Sequence, residues 1–514
     1  MGMKVTSAPI DSSQVVRDFR RSVTAIYRRL TARRASGRRL RSGVTSRKAT
    51  LLPAFRVPLA KTRVRISFLN MTLNKCLFVW LGIVLATVST ASADWKEKVL
   101  YSFQGGADAG SVPAGGVVFD KQGNLYVATT DGGPPSCAPI GGACGTVYQL
   151  SPPAKEGDPW TATLIRMFEG KKSNDASVPT GGLILDSAGN LYGVTGYGGT
   201  GDCVLVGVPA GCGTVYELSP PAQKGGAWTE TILYSFPSSK QGYLPNGSLV
   251  FDSAGNLYGA TMFGGGQGTT CDAFYQYCGA VFKLSPPKTK GGKWTEKVLH
   301  AFKGGTDGAN PNGGLILDSE GRIYGTTSGG GGTSCQGSGC GTVFELKPSF
   351  KTGGAWIEEI LHRFTGGNDG DRPNGGLVFD AKGALYGTTI IGGPRNAFGT
   401  VFRLSPPGRP GRSWTETFLH VFSTCNGSAP CEPNIGVIFD SVGDLYGVGT
   451  NFLFRMKPPL RKGDRWSFTT LYMFTGSPDG SGPVGLIFGK TGAVYGPTVG
   501  GGASGNGTVF SVAP

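Results

Sequence analysis

Histidine is almost missing from this chain: three residues in 514, at His300, His362 and His420. Charged residues are also sparse at 16 %, and aromatics reach only 10 %. So little charge excludes a coiled coil or a charge-driven disordered chain. Glycine is plentiful, at 87 residues, but does not fall at every third place, which excludes collagen. One apolar run, Cys76 to Val88, is short for a membrane span. No Gly-rich stretch opens a helix or precedes a Lys-Ser/Thr pair, so the runs at 329–332 and 500–502 do not read as phosphate cradles.

The net charge of +16 is confined to one end. Residues 1–70 carry 17 Lys and Arg against Asp11 and Asp18, and 71–93 adds Lys75. The remainder, 94–514, holds 31 basic and 31 acidic residues and is formally neutral. The basic isoelectric point is therefore no warrant for nucleic-acid binding. In 71–93, Lys75, the apolar run and Ala91-Ser92-Ala93 form a secretory signal peptide with cleavage expected after Ala93. An uncleaved anchor is the competing reading. Met71 sits where a start codon belongs, so 1–70 is read as an upstream extension or disordered segment, with a basic arm for anionic partners as the alternative.

Four short patterns then recur in fixed order. The first is GGLILD-like and starts at 115, 181, 247, 313, 375, 435 and 485. The second is NLYGTT-like and carries Tyr126, Tyr192, Tyr258, Tyr324, Tyr386, Tyr446 and Tyr495. The third is GTVFELSPP-like. The fourth is a nine-residue W…F unit at 160–168, 228–236, 294–302, 356–364, 414–422 and 466–474. Each is short, β-branched or aromatic, and bounded by Gly, Pro, Asn or Asp, as strands are. The D-S-A-G-N links are hairpin turns. Each repeat is thus a four-stranded antiparallel meander, a to d, and the chain an all-β, seven-bladed β-propeller. The seventh repeat ends after its third strand, while 95–103, WKEKVLYSF, is a W…F strand with no repeat before it. The N-terminal strand is expected to complete the last blade and close the ring, which removes the open edges.

With these motifs in hand, 94–514 resembles the GloVer (Gloeo/Verruco) tandem repeat of exported bacterial proteins with varied C-terminal anchors. The resemblance implies export and a repeat domain, and it brings no catalytic residues. This chain departs in having no anchor or sorting tail after GTVFSVAP, and in lacking a b–c loop between Thr450 and Asn451.

Ten cysteines follow the signal peptide and pair by proximity: Cys137/Cys144, Cys203/Cys212, Cys271/Cys278, Cys335/Cys340 and Cys425/Cys431. An even number after export reads as disulfides; zinc would want CxxC spacing and four ligands per site. All five pairs fall in b–c and d–a links, at one end of the ring. The three histidines share the seventh place of the W…F unit and read as part of the repeat's surface, not as catalytic groups. Asp120, Asp186, Asp252, Asp318, Asp380 and Asp440 read as turn residues. Asp108, Asp175, Asp307, Asp369 and Asp479 lie in d–a loops, where turn chemistry is preferred over calcium; no other cofactor or metal is expected. Tyr197, Phe263, Phe274, Tyr275 and Tyr277 sit in b–c links and have no repeat role, so they are the candidate ligand-face aromatics. The expected function is an extracellular or periplasmic binding or scaffold propeller. It would act as a monomer on a glycan or protein, with no nucleic acid and no membrane after cleavage. The alternative is a propeller enzyme of the polysaccharide lyase or hydrolase type, disfavoured because no singular His or carboxylate pair breaks the repeat.

Overall fold

A computed structural model describes residues 95–514, except 107–108, 135–143, 266–277, 352–353, 426–430 and single positions at 156, 206, 224, 239, 290, 336, 350, 396, 410, 434 and 462. Residues 1–94, with the signal peptide and basic extension, lie outside the described residues.

Seven small antiparallel sheets form a seven-bladed β-propeller. In blade 4, strand a is Gly308–Pro311 and Ile316–Leu317, b is Ile323–Gly330, c is Thr342–Lys347 and d is Ile357–Arg363, hydrogen-bonded in that order. The other blades repeat this plan. The seventh joins Ser481–Pro483 and Ile487–Phe488, Val494–Gly500 and Thr508–Ala513 to the N-terminal strand Lys96–Ser102. That strand runs antiparallel to the C-terminal one, from Lys96 opposite Ala513 to Ser102 opposite Thr508. Small departures from the all-strand reading are a 3₁₀ turn at Lys171–Ser173 and a minor hairpin of Val204–Leu205 with Val208–Pro209.

Strand a begins earlier than the sequence patterns indicate. Part of each expected d–a loop, such as Gly308–Pro311, is already paired to the far end of strand b. In four blades the strand is split in two around the glycine or glycines near its middle; in blades 1 and 3 its register shifts there. The cause is the ring axis. A Cβ on Gly115 would stand 2.1 Å from the backbone nitrogen of Gly182, and one on Gly181 2.2 Å from the carbonyl of Gly247. A Cβ on Gly375 would stand 2.1 Å from the nitrogen of Gly436. Neighbouring inner strands meet backbone to backbone, so no side chain fits.

Away from the axis the blades are held by rings. Strand d ends in a buried Phe that packs on the strand-c ring of the following blade. The pairs are Phe168–Tyr216, Phe236–Phe282, Phe302–Phe344, Phe364–Phe402, Phe422–Phe454 and Phe474–Phe510, closed by Phe103–Tyr148, at centroid distances of 4.8–6.0 Å. The Trp opening strand d packs back on the strand-b Tyr of the preceding blade, as in Trp228–Tyr126 and Trp95–Tyr446. These pairs bury large apolar areas between sheets and add edge-to-face attraction. The turn aspartates do what their motif indicates. Asp186 accepts from the Ala188 and Asn190 N–H groups and from the Tyr192 hydroxyl, and Asp252, Asp318 and Asp380 repeat the set.

Two expectations follow. Removing 95–104 strips strand d from blade 7 and deletes Phe103 from its junction, so the protein should melt lower and associate through the bared Thr508–Ala513 edge. A monomer with unchanged melting, by size exclusion and calorimetry, would contradict the closure. The second concerns Glu97, which closes the ring beside Asp479. Burial first, and the Asp479 charge second, push its carboxyl up from 4.5 to about 7. The folded state therefore binds an extra proton between these values. Its stabilising share is whole below pH 4.5 and is lost as pH rises through 7. Glu97→Gln should make the fall of melting temperature between pH 5 and 8 shallower. Slopes equal to those of the parent would refute this.

Candidate functional site

The site is built where strand a starts, at the end of the ring that carries the b–c and d–a loops. Every blade has a proline there: Pro113, Pro179, Pro245, Pro311, Pro373, Pro433 and Pro483. The residue before each proline adopts a left-handed backbone. These are Val112, Val178, Leu244, Asn310, Arg372 and Glu432, at φ of 51–61°, with Gly482 at 63° in blade 7. Non-glycine residues avoid this region, β-branched ones most of all, so the conformation is imposed by its surroundings.

What imposes it is the preceding blade. The N–H groups of Val178, Leu244, Asn310 and Arg372 donate to the carbonyls of Cys144, Cys212, Cys278 and Cys340 at 2.7–3.2 Å. Val112 donates to Asn506 and Glu432 to Phe398, at 3.0 and 2.9 Å, and Gly482 donates to the Asn451 side chain. Six of the seven proline rings then lie on the glycine that opens strand c of that preceding blade. A Cβ on Gly145, Gly213, Gly279, Gly341, Gly399 or Gly507 would fall 2.5–2.7 Å from the proline Cδ. The same glycines have φ of 88–100° and accept the N–H of the buried strand-d Phe. Six junctions are thus clamped by one hydrogen bond and one proline–glycine contact; at the blade 6/7 junction the glycine place is Asn451, whose side chain takes the hydrogen bond from Gly482.

Above this fixed backbone the side chains vary. The residue before the left-handed one pairs with the seventh residue of strand b: Ser111 with Asp131, Ser177 with Tyr197, Tyr243 with Phe263, Ala309 with Gly329 and Asp371 with Ile391. Blades 2 and 3 therefore carry an apolar and aromatic sector of the rim, Val178, Tyr197, Tyr243, Leu244 and Phe263. The Tyr243 and Phe263 rings lie 5.4 Å apart. Blades 5 and 6 carry a charged sector of Arg372, which is exposed, and Glu432. Tyr197 and Phe263 belong to strand b itself, not to the loops, and are half-buried. Phe274, Tyr275 and Tyr277 lie outside the described residues.

Below the rim a central cavity of about 500 Å³ is lined by strand a of all seven blades. Asn246, Asn312 and Asn374 form a side-chain ladder on one side, each donating its amide to the next, at 2.6 Å from Asn312 to Asn374. Ile435, Val484 and Leu486 line the other side. Among its described lining residues none is ionisable. A larger, charged cleft of about 900 Å³ opens between blades 4 and 5, with Arg322, Lys347, Glu345, Glu359, Arg409 and Arg412. No repeat motif signalled it.

Cysteines rim the same end. Disulfides join Cys203 to Cys212, Cys335 to Cys340 and Cys425 to Cys431. Cys144 and Cys278 are also disulfide-bonded, while Cys137 and Cys271 lie outside the described residues. Four of the second cysteines are the very residues whose carbonyls take the clamp hydrogen bond. A short covalent loop therefore ends on the clamp acceptor.

The histidines are a correction. They are not on the repeat's surface but at blade junctions, 16–18 % exposed for His300 and His362. The d strand of one blade faces the d strand of the next, so the seventh residue of the W…F unit meets the third residue of the next unit. His420 stacks on Phe468 at 4.0 Å, and burial pushes its imidazole down to about 4. The loop aspartates join the same contacts. Asp175 takes Arg166, Asp307 faces His300, Asp369 faces His362, and Asp479 accepts from the Tyr472 hydroxyl. They also accept backbone N–H groups of their own loops, which is the expected turn chemistry. Asp108 lies outside the described residues.

Solved structures resemble the fold only distantly. They include a gluconolactonase from Xanthomonas campestris at 14 % identity, covering 70 % of this chain and 87 % of that one, with a TM-score of 0.35. A luciferin-regenerating enzyme matches at 12 % identity over 79 % and 92 %, with a TM-score of 0.37. PorZ, a surface component of the type-IX secretion system of Porphyromonas gingivalis, matches at 13 % over 79 % and 47 %, with a TM-score of 0.44. No curated protein matches. The Gloeobacter/Verrucomicrobia repeat matches residues 85–335 and 203–451, more than half of the sequence, and the chain belongs to that family.

Proposed function

We propose that the protein is an exported binding propeller that reads a glycan or protein ligand at the rim of its loop-bearing end. One observation carries this reading. At seven equivalent positions the backbone is held in a costly left-handed form while the side chain changes from Val and Leu to Asn, Arg and Glu. A position needed only for the clamp would be served by glycine, as in blade 7. A rigid ring that displays different side chains at fixed places is a means of recognition. The sectors fit a ligand with an apolar or ring-bearing face against Tyr197, Leu244 and Phe263 and a polar part against Arg372 and Glu432. The uncharged cavity lining favours binding over acid–base catalysis. Disulfides suit an oxidising compartment, and among the described residues no helix is long and apolar enough to cross a membrane.

Glycan-array and peptide-library screening of the purified protein should give a ligand whose affinity falls roughly tenfold in Tyr197→Ala/Phe263→Ala, as the loss of ring contacts implies. Arg372→Ala should weaken it in a salt-dependent way without moving the melting temperature, and the aromatic variant should keep the parent's circular dichroism and stay folded at the assay temperature. Ligands unaffected by both variants would refute the rim reading. Export is tested separately: the N-terminus of protein recovered outside the cytoplasm should be Asp94, and one far upstream would contradict cleavage after Ala93.

A further inference from the structure

We propose that the blade 3/4 and blade 4/5 junctions are two equivalent divalent transition-metal sites, formed by His300, Asp307 and Glu358 and by His362, Asp369 and Glu416. In each, the imidazole comes from strand d of one blade, the first carboxylate from the following loop and the second from strand d of the next blade.

The geometry is that of ligands around an ion, not of hydrogen bonds. His300 Nε2 stands 3.5 Å from both Asp307 Oδ2 and Glu358 Oε2. His362 Nε2 stands 3.6 Å from Asp369 Oδ2 and 3.7 Å from Glu416 Oε2. These exceed good N–H···O distances. Tetrahedral zinc with bonds of about 2.0–2.2 Å to nitrogen and oxygen keeps its ligand atoms about 3.4 Å apart. Each trio's ligand atoms lie within 4.8 Å of one another. In both trios the histidine Nε2 is buried with no hydrogen-bond partner, and so is one oxygen of the glutamate. Unpaired buried polar atoms are costly; the glutamate Oε1 is unpaired at other junctions too, at Glu97, Glu230 and Glu296, so the unpartnered histidine Nε2 is what sets these two apart.

The blade 1/2 junction shows what belongs in the gap. There the seventh residue of the W…F unit is Arg166, and its guanidinium lies between Asp175, at 2.6 Å, and Glu230. The same two carboxylates are bridged by a cation that the chain supplies itself. The blade 6/7 junction keeps the carboxylates Asp479 and Glu97 but places Tyr472 between them, donating its hydroxyl to Asp479 at 2.7 Å. Histidine is the one occupant of this place that can hand the cation role to a metal. One nitrogen and two carboxylate oxygens suit zinc, cobalt or manganese better than calcium. Side-chain exposures of 11–20 % leave room for water as a fourth ligand. The disulfide sulfurs near Asp202 and Asp371 offer no thiolate and are not comparable sites.

The blade 6/7 junction also supplies the control, because tyrosine at this place is compatible with both carboxylates. Titration of metal-free, oxidised protein with Co²⁺, followed by visible absorption and calorimetry, should give two ions per chain with the spectrum of a low-coordinate N/O site. His300→Tyr and His362→Tyr should each reduce the count to one. The double variant should bind none while circular dichroism and melting in metal-free buffer stay those of the parent. Zn²⁺ should displace Co²⁺ and raise the parent's melting temperature but not the double variant's. No saturable binding in the parent, or binding that survives the double substitution, would overturn the assignment and leave the trios as proton-sharing contacts between blades.

Discussion

The hydrogen bond from the residue before proline to the preceding blade governs this molecule. It spans neighbouring sheets that also meet through side chains and, at the axis, through glycine backbones. To make it, each blade turns one residue into left-handed space, at a cost of about 1–3 kcal/mol where that residue is not glycine. A hydrogen bond alone returns less than that on the usual scale of about 0.5–1.5 kcal/mol. The remainder comes from the proline ring on the strand-c glycine and from the aromatic pairs that the same alignment brings together. The axis adds a second condition. Gly115, Gly181 and Gly375 admit no Cβ because the neighbouring backbone already fills that space. Blade spacing is therefore fixed at two radii, by glycines at the centre and by the clamp further out.

Much of this was legible in the sequence. Period-two strands, hairpin turns and the W…F unit stranded at 95–103 were enough for seven blades and a ring closed by its own N-terminus. The double glycines marked the crowded axis. The clamp escaped because its central residue has no fixed type: Val178, Leu244, Asn310 and Arg372 share a backbone, not a side chain. Its signal was the proline that follows in all seven repeats, embedded in stretches taken as loop. The junction trios escaped for another reason. His300 and Glu358 are neighbours only because strand d of each blade lies against strand d of the next, and a pattern read within one repeat does not pair residues across two.

Rigidity and variation are separated here with unusual clarity. Turn aspartates, strand-b tyrosines, strand-d phenylalanines and the clamp are repeated almost unchanged. The rim residues and the seventh place of the W…F unit are not. The rim turns its variation towards solvent. The junctions turn theirs inward, where Arg166, Tyr234, His300, His420 and Tyr472 each meet the next blade with different chemistry.

The clamp is tested most directly by amide hydrogen exchange, resolved to single residues, on Val112, Val178, Leu244, Asn310, Arg372 and Glu432. These lie at or beside the outer start of strand a, next to exposed loops, and their N–H groups take no part in its pairing with strand b, so without the clamp they would exchange fast. If their N–H groups join the blades into one ring, they will exchange as slowly as the core amides of strands b and c, only through opening of the whole domain. Exchange at the rate of the flanking loops, while strands b and c stay protected, would show that the ring is not held this way.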